Sequence, residues 1–169
     1  PSDIDKLKRL VCPRITAPYL SSEAFTGSPV LAFTEDLSMT DKVGSSGKPG
    51  VGADARILEP GGTVERAVGE SGEILVSGPS LARGYWKDPD ETARRFVDGW
   101  WRSGDLGRID ADGYVWVEGR IDNIINTGGI KVSGEEVEKA ILAHPAVVQC
   151  AVVGQKDEKF GYRIEAYVV

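Results

Sequence analysis

The sequence is poor in the residues that build many common sites. Its 169 residues include one histidine, His144, one methionine and two cysteines, Cys12 and Cys150. A single imidazole excludes a multi-histidine metal centre and leaves little room for a serine–histidine–acid triad. Two thiols near opposite ends of the sequence form neither a metal-ligand pair nor a disulfide framework, and they fit a reducing compartment, the cytoplasm. Positive charge is also scarce: 20 Lys and Arg against 26 Asp and Glu leave a net charge of −6. A uniformly basic surface is therefore excluded, and nucleic acid is not an expected partner. No run of about 18 apolar residues occurs, so no membrane span is expected, and no basic-then-apolar leader is seen. Ser45-Ser46-Gly47-Lys48-Pro49-Gly50 lacks the Gly-x-x-x-x-Gly-Lys-Ser/Thr spacing of a phosphate loop and reads as a turn.

What is present suits a globular chain that buries a core: 41% of residues are hydrophobic and 27% charged. Ile4, Leu7, Leu10 and Val11 have helical spacing until Pro13 and Pro18 interrupt it. Pro29 to Phe33 reads as a short buried strand, and residues 36–53 as loop. Short strands follow at Ala55–Leu58 and Gly72–Gly78, separated by the turn Glu59-Pro60-Gly61-Gly62. Asp90–Phe96 reads as one or two helical turns with acids at the start. Gly107–Asp110 and Tyr114–Glu118 form a strand–turn–strand pattern about Asp112-Gly113. Residues 30–120 thus predict a small barrel or a strongly bent sheet. After Arg120 the pattern changes. Ser133 caps a helix through Leu142, Glu136 completes a capping box, Val137, Ile141 and Leu142 form the apolar stripe, and Pro145 stops it. Val147–Val153 and Ile164–Val169 read as strands. His144-Pro145 reads as a terminator, and Trp100, Trp101 and Trp116 as core or pocket wall.

The candidate chemistry lies in residues 99–138. Asp105, in Ser103-Gly104-Asp105-Leu106, is a carboxylate with close backbone access, suited to accepting both hydroxyls of a ribose. Arg120, in Gly119-Arg120-Ile121-Asp122, offers a planar guanidinium to ribose or phosphate oxygen. Taken singly, each also fits a solvated acid or an ordinary salt bridge.

The ordered set Gly99-Trp100, Ser103-Gly104-Asp105, Asp112-Gly113-Tyr114, Gly119-Arg120-Ile121-Asp122 and Gly128-Gly129 resembles the acyl-adenylate-forming superfamily: acyl-CoA synthetases, adenylation domains of peptide synthetases, and luciferases. Gly72-Glu73-Ile74, the stretch Gly84 to Thr92 and Gly44-Ser45-Ser46-Gly47-Lys48-Pro49 extend the resemblance. Leu31-Ala32-Phe33-Thr34-Glu35 is similar to the family's Tyr-Gly-x-Thr-Glu, with Leu31 in place of the aromatic that stacks on adenine. Ala17-Pro18 echoes a wall of the adenine pocket.

The resemblance implies an α+β fold. A β-rich, barrel-like part of the large AMP-binding domain (residues 1–121) would be followed by the start of a small mobile C-terminal domain (residues 122–169), with the hinge at Asp122. It implies Thr34 at phosphate, Glu35 holding magnesium, Asp105 and Arg120 on the nucleotide, and Gly128-Gly129 beside a pantetheine arm. The implied activity is that of an ATP-dependent acyl-CoA synthetase acting on a fatty or aromatic carboxylic acid with ATP, magnesium and coenzyme A. A domain that loads a carrier-protein pantetheine, or a non-catalytic remnant, are the alternatives. The family's phosphate loop and C-terminal lysine have no match here, so the chain is expected to be an inactive piece of a longer enzyme.

Overall fold

The computed structural model describes residues 6, 9–11, 19–24, 31–32, 42 and 44–169. Of the residues with helical spacing, Leu10 has helical backbone, as do Lys6 and Arg9, whereas Val11 is in a turn and Ile4 and Leu7 lie outside the described residues. The elements then run β1 (Leu31–Ala32), β2 (Lys48–Pro49), β3 (Asp54–Leu58), β4 (Gly72–Ser77), α1 (Pro89–Arg95), β5 (Phe96–Val97), β6 (Trp100–Ile109), β7 (Val115–Arg120), β8 (Ile124–Thr127), β9 (Ile130–Ser133), α2 (Gly134–Leu142), β10 (Cys150–Asp157) and β11 (Gly161–Val168). The architecture is α+β and strand-rich, as expected. Two compact units divide it: residues 1–103 with 107–117, and residues 104–106 with 118–169.

The first unit is organised by a sheet of order β3-β4-β6-β5, with β7 on β6. β3 alternates, sending Ala55 and Ile57 inward, whereas β4 is buried on both faces from Gly72 to Val76. That difference is the signature of an outer against a central strand. Ile74, Val76, Trp101 and Val115 form the centre of the core. Glu73, buried on β4, pairs with Arg102 on β6. The same guanidinium donates to the Gly62 carbonyl at 2.9 Å, which fastens the Glu59–Gly62 turn to the sheet.

Local chemistry explains α1. The Asp88 side chain accepts from the Glu91 N–H, Pro89 opens the first turn and Arg94 and Arg95 close the last. Thr92 Oγ1 accepts from the Tyr85 N–H at 2.8 Å and donates to the Asp88 carbonyl at 2.7 Å. A Cβ on Gly84 would stand 2.4 Å from Thr92 Cγ2, so the Gly84-to-Thr92 stretch closes on itself.

The structure modifies several expectations. The segment expected as loop between 36 and 53 contains β2, whose backbone pairs with β1. Ser46 N–H donates to the Val115 carbonyl at 2.7 Å and Val115 N–H to the Gly47 carbonyl at 2.8 Å, so the stretch read as a turn at Ser45–Gly50 instead pairs its backbone with the start of β7 and runs into β2. Of the Pro29–Phe33 strand, Leu31 and Ala32 are described and extended.

The second unit's sheet has the order β10-β11-β8-β9, all antiparallel, with α2 between β9 and β10 in sequence. Ser133 caps α2 by accepting from the Glu136 N–H. The reciprocal carboxylate is not that of Glu136. Glu135 takes the place beside Ser133 Oγ, at 3.0 Å. Val137 and Ile141 are half-buried, but Leu142 is exposed, so the expected stripe is narrower. β10 begins at Cys150 instead of Val147. His144 and Pro145 divert the chain, and Ala146 N–H donates to His144 Nδ1 at 3.2 Å before the strand can start.

Candidate functional site

Asp105 sits on the inward face of β6, in register with Trp101, Ser103 and Gly107, all buried. A carboxylate there needs a partner, because burying an unpaired charge is costly. Gly104, immediately before it, has φ +74°, a left-handed backbone that glycine adopts without strain. The partner is Arg120, the last residue of β7: its Nη1 donates to Asp105 Oδ1 at 3.0 Å. The Asp105 side chain is 12% exposed and that of Arg120 47%, so one end of the pair is sheltered and the other open.

Arg120 leads into a 3-10 turn, Ile121–Asn123, that carries Asp122. The Asp122 carboxylate is exposed, with Oδ2 3.8 Å from Arg120 Nη2. Glu135, at the start of α2, braces this segment. Its Oε1 accepts from the Asn123 side-chain amide and from the Arg120 N–H, the latter at 3.4 Å. A Cβ on Gly119 would lie 2.9 Å from Glu135 Oε2, so the strand approaches the carboxylate closely. Burial pushes the Glu135 carboxyl up, but hydrogen bonds from Asn123 and Ser133 and from backbone N–H groups outweigh it and hold it below the usual range. The sequence places Glu135 in the helix after Ser133 and singles it out for no role. The signal was the pair of acids directly after the capping serine.

Gly128 and Gly129 form the two-residue turn between β8 and β9, with Thr127 opposite Ile130. Their φ values, +58° and +88°, match the turn that two antiparallel strands favour. The structure therefore brings Asp105, Arg120 and Asp122 together and places the two glycines at a hairpin tip in the same unit. Thr34 and Glu35, together with Ala17 and Pro18, lie outside the described residues. Of the three tryptophans read as core or pocket wall, Trp101 is core, Arg108 lies over Trp116 at 4.8 Å, and Arg56 over Trp100 at 4.4 Å. Among the described residues there is no metal-competent cluster of His, Cys, Asp and Glu, and no helix long and apolar enough to cross a membrane.

Comparison with known proteins gives this geometry a context. Residues 1–86 match the family described as AMP-binding enzyme, and residues 136–169 match its C-terminal domain. The medium/long-chain-fatty-acid–CoA ligase FadD8 of Mycobacterium tuberculosis is 48% identical over 125 residues, 74% of this chain and 22% of its own. A feruloyl-CoA synthase of Amycolatopsis is 34% identical over 183 residues, 99% of this chain and 37% of its own. Among solved structures, the O-succinylbenzoate coenzyme A synthetase MenE of Bacillus subtilis in complex with AMP aligns at a TM-score of 0.85 and 30% identity, covering 99% of this chain and 34% of its own. The same Bacillus protein has been solved with ATP and magnesium. The chain thus spans between 22% and 37% of the length of these relatives.

Proposed function

The chain belongs to the AMP-binding enzyme family, and from that premise we propose that the whole protein is an ATP-dependent acyl-CoA ligase for a fatty or aromatic carboxylic acid. A carboxylate resists nucleophiles because its charge is delocalised over both oxygens. Its oxygen instead attacks the α-phosphorus of ATP, the bond to pyrophosphate breaks, and an acyl-AMP forms. The sulfur of CoA then attacks the acyl carbon, the thiol proton is lost, and AMP departs with the carbon–oxygen bonding pair.

The Asp105–Arg120 pair carries this reading. A sheltered carboxylate accepts the ribose hydroxyls while the half-open guanidinium presents donors to sugar or phosphate oxygen. Thr34 would contact phosphate, and Glu35 would hold magnesium, a hard cation suited to carboxylate and phosphate oxygens. Bound there, it would offset the charge on the phosphates. These two assignments rest on the Thr-Glu motif. Asp122 is the hinge between a large domain ending at residue 121 and a small domain beginning there. Gly128-Gly129 leave room for the pantetheine arm, and the site of action is the cytoplasm.

The test is acid-dependent ATP–pyrophosphate exchange by the full-length protein with a panel of fatty and aromatic acids. Asp105→Ala is expected to raise KM for ATP and to lower kcat/KM about 100-fold, the loss of about two charge-assisted hydrogen bonds. Absence of exchange with every acid, or an unaffected D105A variant, overturns the reading. CoA-dependent release of AMP distinguishes it from loading of a carrier protein.

A further inference from the structure

The glycine tip of the β8–β9 hairpin does not stand alone. Gly128 N–H donates to the carbonyl of Phe160 at 2.9 Å. Phe160 belongs to the turn between β10 and β11, a different hairpin, and the adjacent Gly161 pairs with Thr127 at the single register point that joins β11 to β8. That turn is tied down by Asp157, whose Oδ1 accepts from both the Lys159 and the Phe160 N–H groups, each at 2.9 Å. The chain of contacts runs from the Asp157 carboxylate to the Phe160 N–H, across the Phe160 backbone to its carbonyl, and on to the Gly128 N–H.

The two glycines of the tip have opposite surroundings. A Cβ on Gly128 would lie 3.3 Å from Phe160 Cδ1, so the ring packs directly against it. A Cβ on Gly129 would meet nothing within 4 Å. The tip therefore has one walled side and one open side. The Lys159 ammonium sits 5.1 Å from the Phe160 ring centroid, which adds a cation–π contact that steadies the wall. Closing the β10–β11 hairpin needs only the bonds within it. The bond from Gly128 is additional and makes the position of one hairpin depend on the turn of another.

We propose that Asp157 is a positioning residue for the acceptor thiol: by holding the turn through the Lys159 and Phe160 N–H groups it sets the Phe160 carbonyl, and with it the place of the Gly128-Gly129 tip along which the slender arm of CoA approaches the acyl-adenylate. The inference rests on the reading of Gly128-Gly129 given above. Asp157 touches no reacting atom and moves no proton. It acts on the second half-reaction alone, because the tip takes no part in forming the adenylate. The two N–H groups aimed at it hold its carboxyl below the usual carboxylate range, so it stays an acceptor throughout neutral pH.

The experiment uses the full-length enzyme and two readouts, ATP–pyrophosphate exchange and steady-state thioester formation with varied CoA. Asp157→Ala is expected to raise KM for CoA about tenfold while exchange stays within about twofold. Asp157→Asn, whose amide oxygen accepts the same two N–H groups, is expected to restore KM for CoA. Phe160→Ala, which keeps the carbonyl but removes the wall, is expected to raise KM for CoA as well. An unchanged KM in D157A, an equal loss in both readouts, or no rescue by D157N overturns the inference. Gly129→Ala separates the two layers. If G129A raises KM for CoA and D157A does not, the positioning role alone falls. If G129A leaves it unchanged, the glycine-tip reading falls and takes this inference with it.

Discussion

Two aspartates on neighbouring stretches of the chain show how environment divides similar side chains between roles. Asp110, at the turn after β6, is saturated by local partners. The Trp116 indole N–H donates to it at 3.0 Å, Lys42 Nζ stands 3.0 Å away, and the backbone N–H groups of Asp112 and Tyr114 each donate at 3.0 Å. Burial pushes its carboxyl up, but these donors outweigh burial and hold it far below the usual range. A carboxyl depressed in the folded state stabilises the fold above its unfolded pKa and loses that contribution as pH falls toward the folded value. Unfolding stability is therefore expected to decline below about pH 4, the ordinary aspartate value, and to keep declining with further acid. Asp110→Asn is expected to flatten that limb of the curve in urea unfolding followed against pH. Asp105 differs in having a half-exposed guanidinium beside it, which suits it to a polyhydroxyl ligand.

At the scale of elements, the turns and close approaches are specific. A Cβ on Gly107, in β6, would stand 2.3 Å from the Trp116 carbonyl and 2.6 Å from Ile74 Cδ1, the latter a fully buried core residue. Neither can move cheaply, since one is strand backbone and the other packed core. Gly107→Ala is expected to cost about 3 kcal/mol or more, an overpacking penalty. Gly113, at the β6–β7 turn, meets nothing within 4 Å, but its φ is +83°. Gly113→Ala is expected to cost about 1 kcal/mol, from backbone strain alone. Thermal unfolding of the two variants side by side measures the difference, and equal losses would contradict the packing account.

At the scale of the molecule, the chain forms two compact units and spans between 22% and 37% of the length of its relatives. Adenylation requires groups on every phosphate of ATP and on the acid as well as on the ribose. On the proposed reading, this chain holds the Asp105–Arg120 pair and the glycine tip, and its sequence carries no recognisable phosphate loop. The isolated 169-residue chain is accordingly expected to show no acid-dependent pyrophosphate exchange. Turnover by the isolated chain would contradict this.

The strands at Ala55–Leu58 and Gly72–Gly78, the turn at Asp112-Gly113, and the cap at Ser133 were legible in the sequence because each depends on neighbours a few residues away. So was the order of Asp105, Arg120 and Gly128-Gly129, because spacing is a property of the chain itself. Contacts that span many residues were decided only by folding. The union of Asp105 with Arg120, the brace of Glu135 under Asn123, and the tie from Asp157 through Phe160 to Gly128 depend on strand pairing and register. Register is set by which faces bury together, and no local pattern specifies the distant partner of a polar side chain.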